Sequence, residues 1–297
     1  MNGFMRWALA GFLLLFLARP IFAQEEGKWE QRRNRGYSEV FYKSGELSIQ
    51  AYLYKPEGDG PFPVVIYNHG SGLGSERLGH PAEHIGRMLT EAGFAVMVPE
   101  RRGYGRSEGP TLWQDIGVTR GKAMITRLQA DTDDVLAAVE YLRGVRYVDT
   151  NRMGIMGWSF GGIITMLAIS RSSAFRVAVN EAGGALLWTS SRPLEEALIT
   201  AAEKGTTPTL LLVAQNDRTT DSITTLAEIF KKRGVPHRMV IYPPYYGGQA
   251  GNAPGHAVFS ARGTHVWERD VLEFLSRYLG ATSTGAPTEA DPAKSQH

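Results

Sequence analysis

The pentapeptide Gly157-Trp158-Ser159-Phe160-Gly161 has residue types and spacing that could carry out nucleophilic chemistry. Residues 152–156 before it predict a short buried strand, and residues 162–170 after it predict a buried helix. A strand that turns directly into a helix holds the intervening serine in a strained backbone conformation with its Oγ exposed. Only small residues fit two positions before and two positions after such a serine. The pattern favours Ser159 as a nucleophile over a glycine-rich turn without chemistry.

A serine hydroxyl is a weak nucleophile near neutral pH, so it needs a base and an acidic group that orients the base. Functional groups in a parallel sheet collect in loops at the carboxyl ends of the strands. Residues 209–214 predict a buried strand, and Asp217 follows its carboxyl end. Asp217 is therefore the predicted acid, with Asp221 as the alternative.

The base is expected among the seven histidines of the chain. His256 lies in a glycine-containing loop after the last predicted strand, where its ring could reach the serine. His265, at the start of the last predicted helix, is the alternative. The choice of His256 gives the chain order Ser, Asp, His, which is typical of a hydrolase with a nucleophile at a strand–helix turn.

Acyl transfer at a serine also needs two N–H donors for the oxyanion that develops. One predicted donor is the backbone N–H of Phe160, directly after the nucleophile. The other is the backbone N–H of Ser71, in the glycine-rich loop that follows a predicted strand at residues 64–67, with Gly72 as the alternative. His69 is expected to brace that loop. A phosphate cradle is a weaker interpretation, because no Lys precedes a Ser or Thr there.

The elements that must position these residues alternate between strand and helix along the chain. This alternation favours an α/β fold with a mostly parallel sheet covered by helices on both faces. Residues 37–42 and 47–54 alternate in polarity around a turn and predict an antiparallel hairpin at one edge. We find no linker long enough to separate two domains, so residues 37–280 are predicted to form one domain. No insertion in it is large enough for a full cap domain.

Composition and the terminal segments limit the expected partners and cellular location of the protein. The formal charge of +2 among 297 residues gives no reason to expect a nucleic acid partner. Residues 1–23 have a basic start, a short apolar core and a small-residue cleavage site, which predict a secretory signal; a retained anchor is the alternative. We therefore expect a periplasmic or secreted protein, with no stable membrane insertion once the leader is cleaved. Residues 24–36 are expected to be a mobile lead-in and residues 281–297 a disordered tail.

Five motifs together resemble the α/β-hydrolase superfamily, and within it the dienelactone hydrolase-like group that adjoins prolyl-oligopeptidase-like serine peptidases. In this sequence they are residues 68–72 (NHGSG), 101–107 (RRGYGRS), 149–162 (DTNRMGIMGWSFGG), 215–217 (QND) and 255–259 (GHAVF). The resemblance implies an eight-stranded, mostly parallel sheet and hydrolytic acyl transfer. There are two departures. True dienelactone hydrolases carry a cysteine where this chain has Ser159, and cutinases, which it also resembles, usually have a disulfide that a chain without Cys cannot form.

These features predict a serine hydrolase that cleaves a small or medium carboxylic ester, with no metal or organic cofactor. The alternatives are a serine peptidase of the acylaminoacyl or dipeptidyl type, for which Glu181 is the candidate anchor, a polyester or cutinase-like hydrolase, and a non-catalytic binding protein on the same fold. The stretches Glu108–Arg127, with Trp113, and Gly184–Gly205, with Trp188, are the expected pocket walls. The sequence does not indicate an oligomeric state.

Overall fold

The computed structural model describes residues 36–119, 121–248 and 251–280. The predicted leader, most of the predicted lead-in and the predicted tail lie outside these ranges, so export remains a prediction. The strands in chain order are Tyr37–Ser44 (β1), Leu47–Tyr54 (β2), Phe62–Asn68 (β3), Ala95–Glu100 (β4), Val148–Trp158 (β5), Val177–Glu181 (β6), Thr209–Ala214 (β7) and His237–Tyr242 (β8). The helices are Glu83–Glu91 (α1), Leu112–Ile116 (α2), Lys122–Leu142 (α3), Phe160–Arg171 (α4), Arg192–Lys204 (α5), Asp221–Arg233 (α6) and Thr264–Leu279 (α7).

All eight strands form one sheet in the order β1-β2-β4-β3-β5-β6-β7-β8. The β1–β2 and β2–β4 pairs are antiparallel, and every other pair is parallel. The predicted mostly parallel, eight-stranded sheet with an edge hairpin is therefore confirmed. Because the parallel strands all point the same way, the loops after β3, β4, β5, β7 and β8 meet at one edge of the sheet.

Helices cover the sheet on both faces, as predicted. A Cβ atom built on Gly154 of β5 would meet Leu275 and Leu279 of α7, whereas one built on Gly157 would meet Gly161 of α4. Residues three apart on a strand point to opposite faces, so α4 and α7 lie on opposite sides of the sheet. Every residue of β4 and β7 is buried between these layers, as is usual for a parallel sheet covered twice.

Two helices, α2 and α5, were not predicted from the sequence. The short helix α2 lies in a stretch expected to be a long connection, and it begins with a capping box between Thr111 and Gln114. Helix α5 occupies most of the predicted pocket wall at residues 184–205. No inserted domain separates the strands within the described ranges. None of the helices described there combines the length and the apolar character needed to cross a bilayer.

Candidate active site

Ser159 is the single residue between the last residue of β5 and the first residue of α4. Its backbone has φ 58° and ψ −116°, a conformation that non-glycine residues rarely adopt and that costs about 1–3 kcal/mol. The Ser159 N–H donates a hydrogen bond of 2.9 Å to the carbonyl oxygen of Glu181 on the neighbouring strand β6. The serine therefore occupies the strained turn that the sequence predicts, and the sheet holds its backbone in place.

The two glycines of the pentapeptide are required by close backbone contacts. A Cβ atom on Gly161 would overlap the carbonyl oxygen of Asn68 at the end of β3. A Cβ atom on Gly157 would lie 2.5 Å from the carbonyl carbon of Gly161 and 2.9 Å from the Cβ of Asn68. Side chains at either position would push β3, β5 and α4 apart.

Asp217 and His256 form a buried hydrogen-bonded pair. The Nδ1 atom of His256 lies 2.8 Å from Oδ2 of Asp217, and both residues are less than 10% exposed. The other carboxylate oxygen of Asp217 accepts the backbone N–H of Arg218 at 2.7 Å. Because both oxygens are engaged, the carboxylate is fixed, and it orients the imidazole.

The imidazole of His256 lies beside the indole of Trp158, the residue that precedes Ser159. The Trp158 indole N–H donates to the His256 carbonyl oxygen at 3.1 Å, and the two ring centroids are 5.7 Å apart. The Nε2 atom of His256 is buried and makes no hydrogen bond within the described structure, to Ser159 or to any other group. The alternative histidine, His265, is exposed in the first turn of α7. Of the two candidate bases, His256 is thus the one that the fold places beside the serine turn.

The loop after β3 packs against the serine turn. A Cβ atom built on Gly70 would lie 3.8 Å from the Cβ of Ser159. The Gly70 carbonyl oxygen accepts hydrogen bonds from Nδ1 of His69 at 2.8 Å and from the Arg101 guanidinium at 3.3 Å. In a trans peptide the N–H points opposite to the carbonyl, so these two donors turn the Ser71 N–H away from His69 and Arg101.

The two predicted oxyanion donors border the same cavity. Ser71 and Phe160 both line it, together with Ser159. Neither backbone N–H has a hydrogen-bond acceptor among the described residues, because Phe160 is the first residue of α4 and Ser71 lies in a loop. Two unsatisfied N–H groups next to one serine are suited to stabilise an oxyanion.

A polar cluster of His69, His80 and Glu100 braces this loop from behind. The imidazole rings of His69 and His80 are stacked, with centroids 4.6 Å apart and planes 12° from parallel. Burial, with the nearby Arg101 charge, holds the pKa of His69 well below its usual value, so its ring is neutral. The three residues offer possible metal-ligand atoms within 4.8 Å of one another. Nε2 of His69 and Nδ1 of His80 lie 3.6 and 3.3 Å from the same carboxylate oxygen, Oε2 of Glu100, so this carboxylate helps to hold both rings in place.

The cavity above Ser159 has a volume of about 300 Å³. Its interior is lined by aliphatic side chains: Leu112, Ile116, Met124, Ile163, Leu186 and Leu187. Ile163 belongs to α4, and the other five residues come from the two predicted pocket walls. The two tryptophans do not contribute, because Trp113 points to solvent and Trp188 is buried in the core. Arg218, which the sequence reasoning missed, contributes the one charged side chain among the described lining residues.

Glu181 is neither a surface residue nor a substrate anchor. Its side chain is fully buried, neither carboxylate oxygen has a hydrogen-bond partner in the described structure, and it does not line the cavity. Burial raises the pKa of Glu181 from 4.5 to about 8, so the carboxyl group is neutral at pH 7. The alternative that Glu181 binds a peptide amine is therefore wrong for this conformation.

We expect Glu181→Gln to change how stability depends on pH. Between about pH 4.5 and 8 the folded chain keeps a proton on Glu181 that the unfolded chain has lost, so the free energy of unfolding decreases as pH rises through this window. Glutamine is neutral at every pH and removes that decrease. Denaturant titrations should find the variant more stable than the parent by a few kcal/mol at pH 8, with little difference near pH 4.5.

The matched control for this experiment is Glu228→Gln, at an exposed position of α6. Its pH dependence should follow that of the parent protein. Equal pH profiles for the Glu181 and Glu228 variants would show that the Glu181 carboxyl ionises normally.

Comparisons with known proteins indicate the family to which the chain belongs. The model of the dienelactone hydrolase family matches residues 49–279. The quorum-quenching protein AidA of Acinetobacter baumannii is 30% identical over 124 residues, which cover 42% of this chain and 36% of that protein. The chain spans between 20% and 57% of the length of the first curated relatives that it matches.

Solved structures share the fold at low sequence identity. An acylaminoacyl peptidase of Pyrococcus horikoshii superposes with a TM-score of 0.64 at 19% identity, over 88% of this chain and 45% of that one. A dienelactone hydrolase-like protein of Klebsiella pneumoniae gives a TM-score of 0.63 at 22% identity, over 82% of this chain and 98% of that one. Esterases are also among the structures with this fold. With a family match over most of its length and an α/β-hydrolase sheet, the chain belongs to the dienelactone hydrolase family of hydrolases.

Proposed function

We propose that the protein hydrolyses small or medium carboxylic esters through an acyl-enzyme formed on Ser159. The observation that carries the proposal is the buried Asp217–His256 pair, at 2.8 Å, beside the strained turn that presents Ser159 to an aliphatic cavity. A nucleophile, an oriented base and two free N–H donors at one place are the requirements of acyl transfer at a serine.

In the first half of the proposed reaction, His256 Nε2 takes the proton of the Ser159 hydroxyl as Oγ attacks the ester carbonyl carbon. Asp217 holds the proton on Nδ1 and stabilises the imidazolium. The carbonyl π electrons move onto oxygen, and the N–H groups of Ser71 and Phe160 stabilise the resulting oxyanion. The tetrahedral intermediate then expels the alkoxide, which takes the proton from His256 and leaves as an alcohol.

In the second half, water replaces the alcohol. His256 removes a proton from the water as its oxygen attacks the acyl-enzyme carbonyl, and the same two N–H groups stabilise the second oxyanion. The intermediate breaks the bond to Ser159 Oγ, which recovers its proton from His256, and the carboxylic acid leaves. Each group returns to its starting protonation state.

An ester is favoured over a peptide by the lining of the cavity. Recognition of a free peptide amine needs a carboxylate near the nucleophile, and the lining residues that the structure describes include no Asp or Glu. The aliphatic interior is complementary to an alkyl chain. Cleavage of an ester also requires less activation than cleavage of an amide.

Two measurements test the proposal. A fluorophosphonate probe should label the protein, with the added mass on the peptide that contains Ser159; a non-catalytic binding protein would not react. In a panel of substrates, p-nitrophenyl esters with acyl chains of two to eight carbons should be hydrolysed far faster than aminoacyl p-nitroanilides. Amide turnover at rates similar to the esters would instead support a peptidase.

We expect Asp217→Asn to lower kcat for p-nitrophenyl butyrate by about 10⁴-fold, with little change in KM. The amide cannot accept the Nδ1 proton with the same strength, so the imidazole loses its orientation and the imidazolium its stabilisation. The control is Asp221→Asn, which changes the alternative acid, at the exposed start of α6. That control should keep parental kinetics, and a larger loss in the Asp221 variant would reverse the assignment.

A further inference from the structure

Four large apolar side chains are exposed in the two loops that contribute residues to the cavity wall. Leu73 is 51% exposed, Leu78 84%, Trp113 53% and Val118 79%. They lie in the loops after β3 and β4, at the edge of the sheet where Ser159 sits. We call these four residues the mouth patch. Clustered exposed apolar residues of this kind usually mark a surface that contacts another apolar phase or molecule.

One buried carboxylate ties the two loops of the mouth patch together. Glu76 is 5% exposed, and its Oε2 accepts the N–H of Gly74 at 2.9 Å while its Oε1 accepts the N–H of Trp113 at 3.1 Å. Leu73 precedes Gly74, and Leu78 lies two residues after Glu76. The positions of three of the four apolar residues are therefore coupled through one side chain, so the mouth patch is organised before any ligand arrives.

The mouth patch is continuous with the interior of the cavity. Leu73 and Val118 belong to both, because they are exposed and also line the cavity. Helix α2 directs Leu112 and Ile116 into the cavity, while Trp113 of the same helix points to solvent. Apolar side chains thus extend from the exposed patch into the cavity that Ser159 lines.

We propose that the mouth patch docks on the surface of an uncharged, water-insoluble aliphatic ester, from which an acyl chain enters the cavity. The inference rests on the proposed esterase activity and names its substrate class. The aliphatic lining fits an alkyl chain, and the formal charge of +2 supplies little attraction to an anionic membrane. The cation next to Leu78 in the chain is Arg77, whose guanidinium is already bound to the carbonyl oxygens of Ser107 and Gly109.

The first test uses tributyrin, an uncharged ester of low solubility. For the parent protein, the rate of acid release should rise steeply once tributyrin exceeds its solubility and forms droplets. The variant Leu78→Ser/Trp113→Ser changes two patch residues that do not line the cavity. It should keep parental kinetics on dissolved p-nitrophenyl butyrate but lose the steep rise on droplets.

The second test measures docking without turnover. In a Ser159→Ala background, flotation with tributyrin droplets should carry the protein to the lipid layer. Adding the two patch substitutions should weaken this adsorption about tenfold or more, because the docked variant removes two fewer apolar side chains from water. The matched control is Met239→Ser/Ile241→Ser, which changes two exposed apolar residues of the edge strand β8 and should leave adsorption unchanged.

The outcomes separate the two proposals. If the parent protein fails to hydrolyse dissolved p-nitrophenyl butyrate, the esterase proposal is wrong. If it hydrolyses that ester but shows no steep rise and no flotation, only the docking inference is overturned. The docking inference is also overturned if the β8 control loses adsorption equally, or if sedimentation shows that the patch substitutions merely convert a dimer into monomers.

Discussion

Replacing Ser159 with alanine is expected to lower kcat for ester hydrolysis by about 10⁶-fold, the loss seen when the nucleophile of a serine triad is removed. The substitution removes one oxygen and keeps a Cβ at the same backbone position, so the fold should survive. The aliphatic cavity and the two free N–H donors are also unchanged. Binding of substrate analogues should therefore persist, which calorimetry can measure. Turnover should disappear, which single-turnover assays can measure.

The matched control for this prediction is Ser71→Ala. The proposed role of Ser71 uses its backbone N–H and not its hydroxyl, so its alanine variant should retain most of the parental kcat. Ser71→Pro, which lacks the N–H, should lose about 10²- to 10³-fold. Activity of the Ser159 variant above about 1% of parent, or inactivity of Ser71→Ala, would contradict the assignment of these two serines.

Replacing Gly161 with alanine is expected to destabilise the whole domain. The new methyl group would overlap the Asn68 carbonyl oxygen, and neither the sheet nor α4 can move away without breaking other contacts. Overpacking of this kind costs about 3 kcal/mol or more, which corresponds to a decrease in Tm of about 10 °C for a domain of this size. Thermal denaturation followed by circular dichroism measures this decrease in Tm. A variant that fails to fold in cells would show the same destabilisation in its extreme form.

The control for overpacking is Gly121→Ala at the start of α3, where an added Cβ meets no atom within 4 Å. Its Tm should stay close to that of the parent protein. A Gly161 variant as stable as the Gly121 variant would mean that β5 and α4 do not approach β3 as closely as the structure indicates.

Sequence alone predicted the sheet and the placement of the main site residues, because both depend on local patterns. The apolar runs at β3, β5 and β7 identify buried parallel strands, and parallel strands direct their following loops to one edge. Gly157 and Gly161 mark the close approach around Ser159. The same logic placed Asp217 and His256 in neighbouring loops, and the structure pairs them at 2.8 Å.

What the sequence did not predict depends on tertiary contacts. Helix α2 has only five residues, too few to be stable alone, and Glu76 from a distant loop accepts the N–H of Trp113 in its first turn. Its Thr111–Gln114 capping box was the local signal that could have revealed it. Glu181 is an acidic residue that could have bound a peptide amine. Whether its side chain is buried depends on the packing of β6, which the residue type alone does not indicate.

The hydrogen bonds to the Gly70 carbonyl have a consequence for the timing of catalysis. If the peptide group between Gly70 and Ser71 rotated by half a turn, the Gly70 carbonyl oxygen would take the position of the Ser71 N–H. That oxygen would repel a negative charge on the substrate. The hydrogen bonds from His69 and Arg101 to the Gly70 carbonyl oxygen oppose that rotation. In the proposed mechanism, the Ser71 N–H would therefore already point toward the oxyanion position when substrate binds, without a rotation of this peptide group.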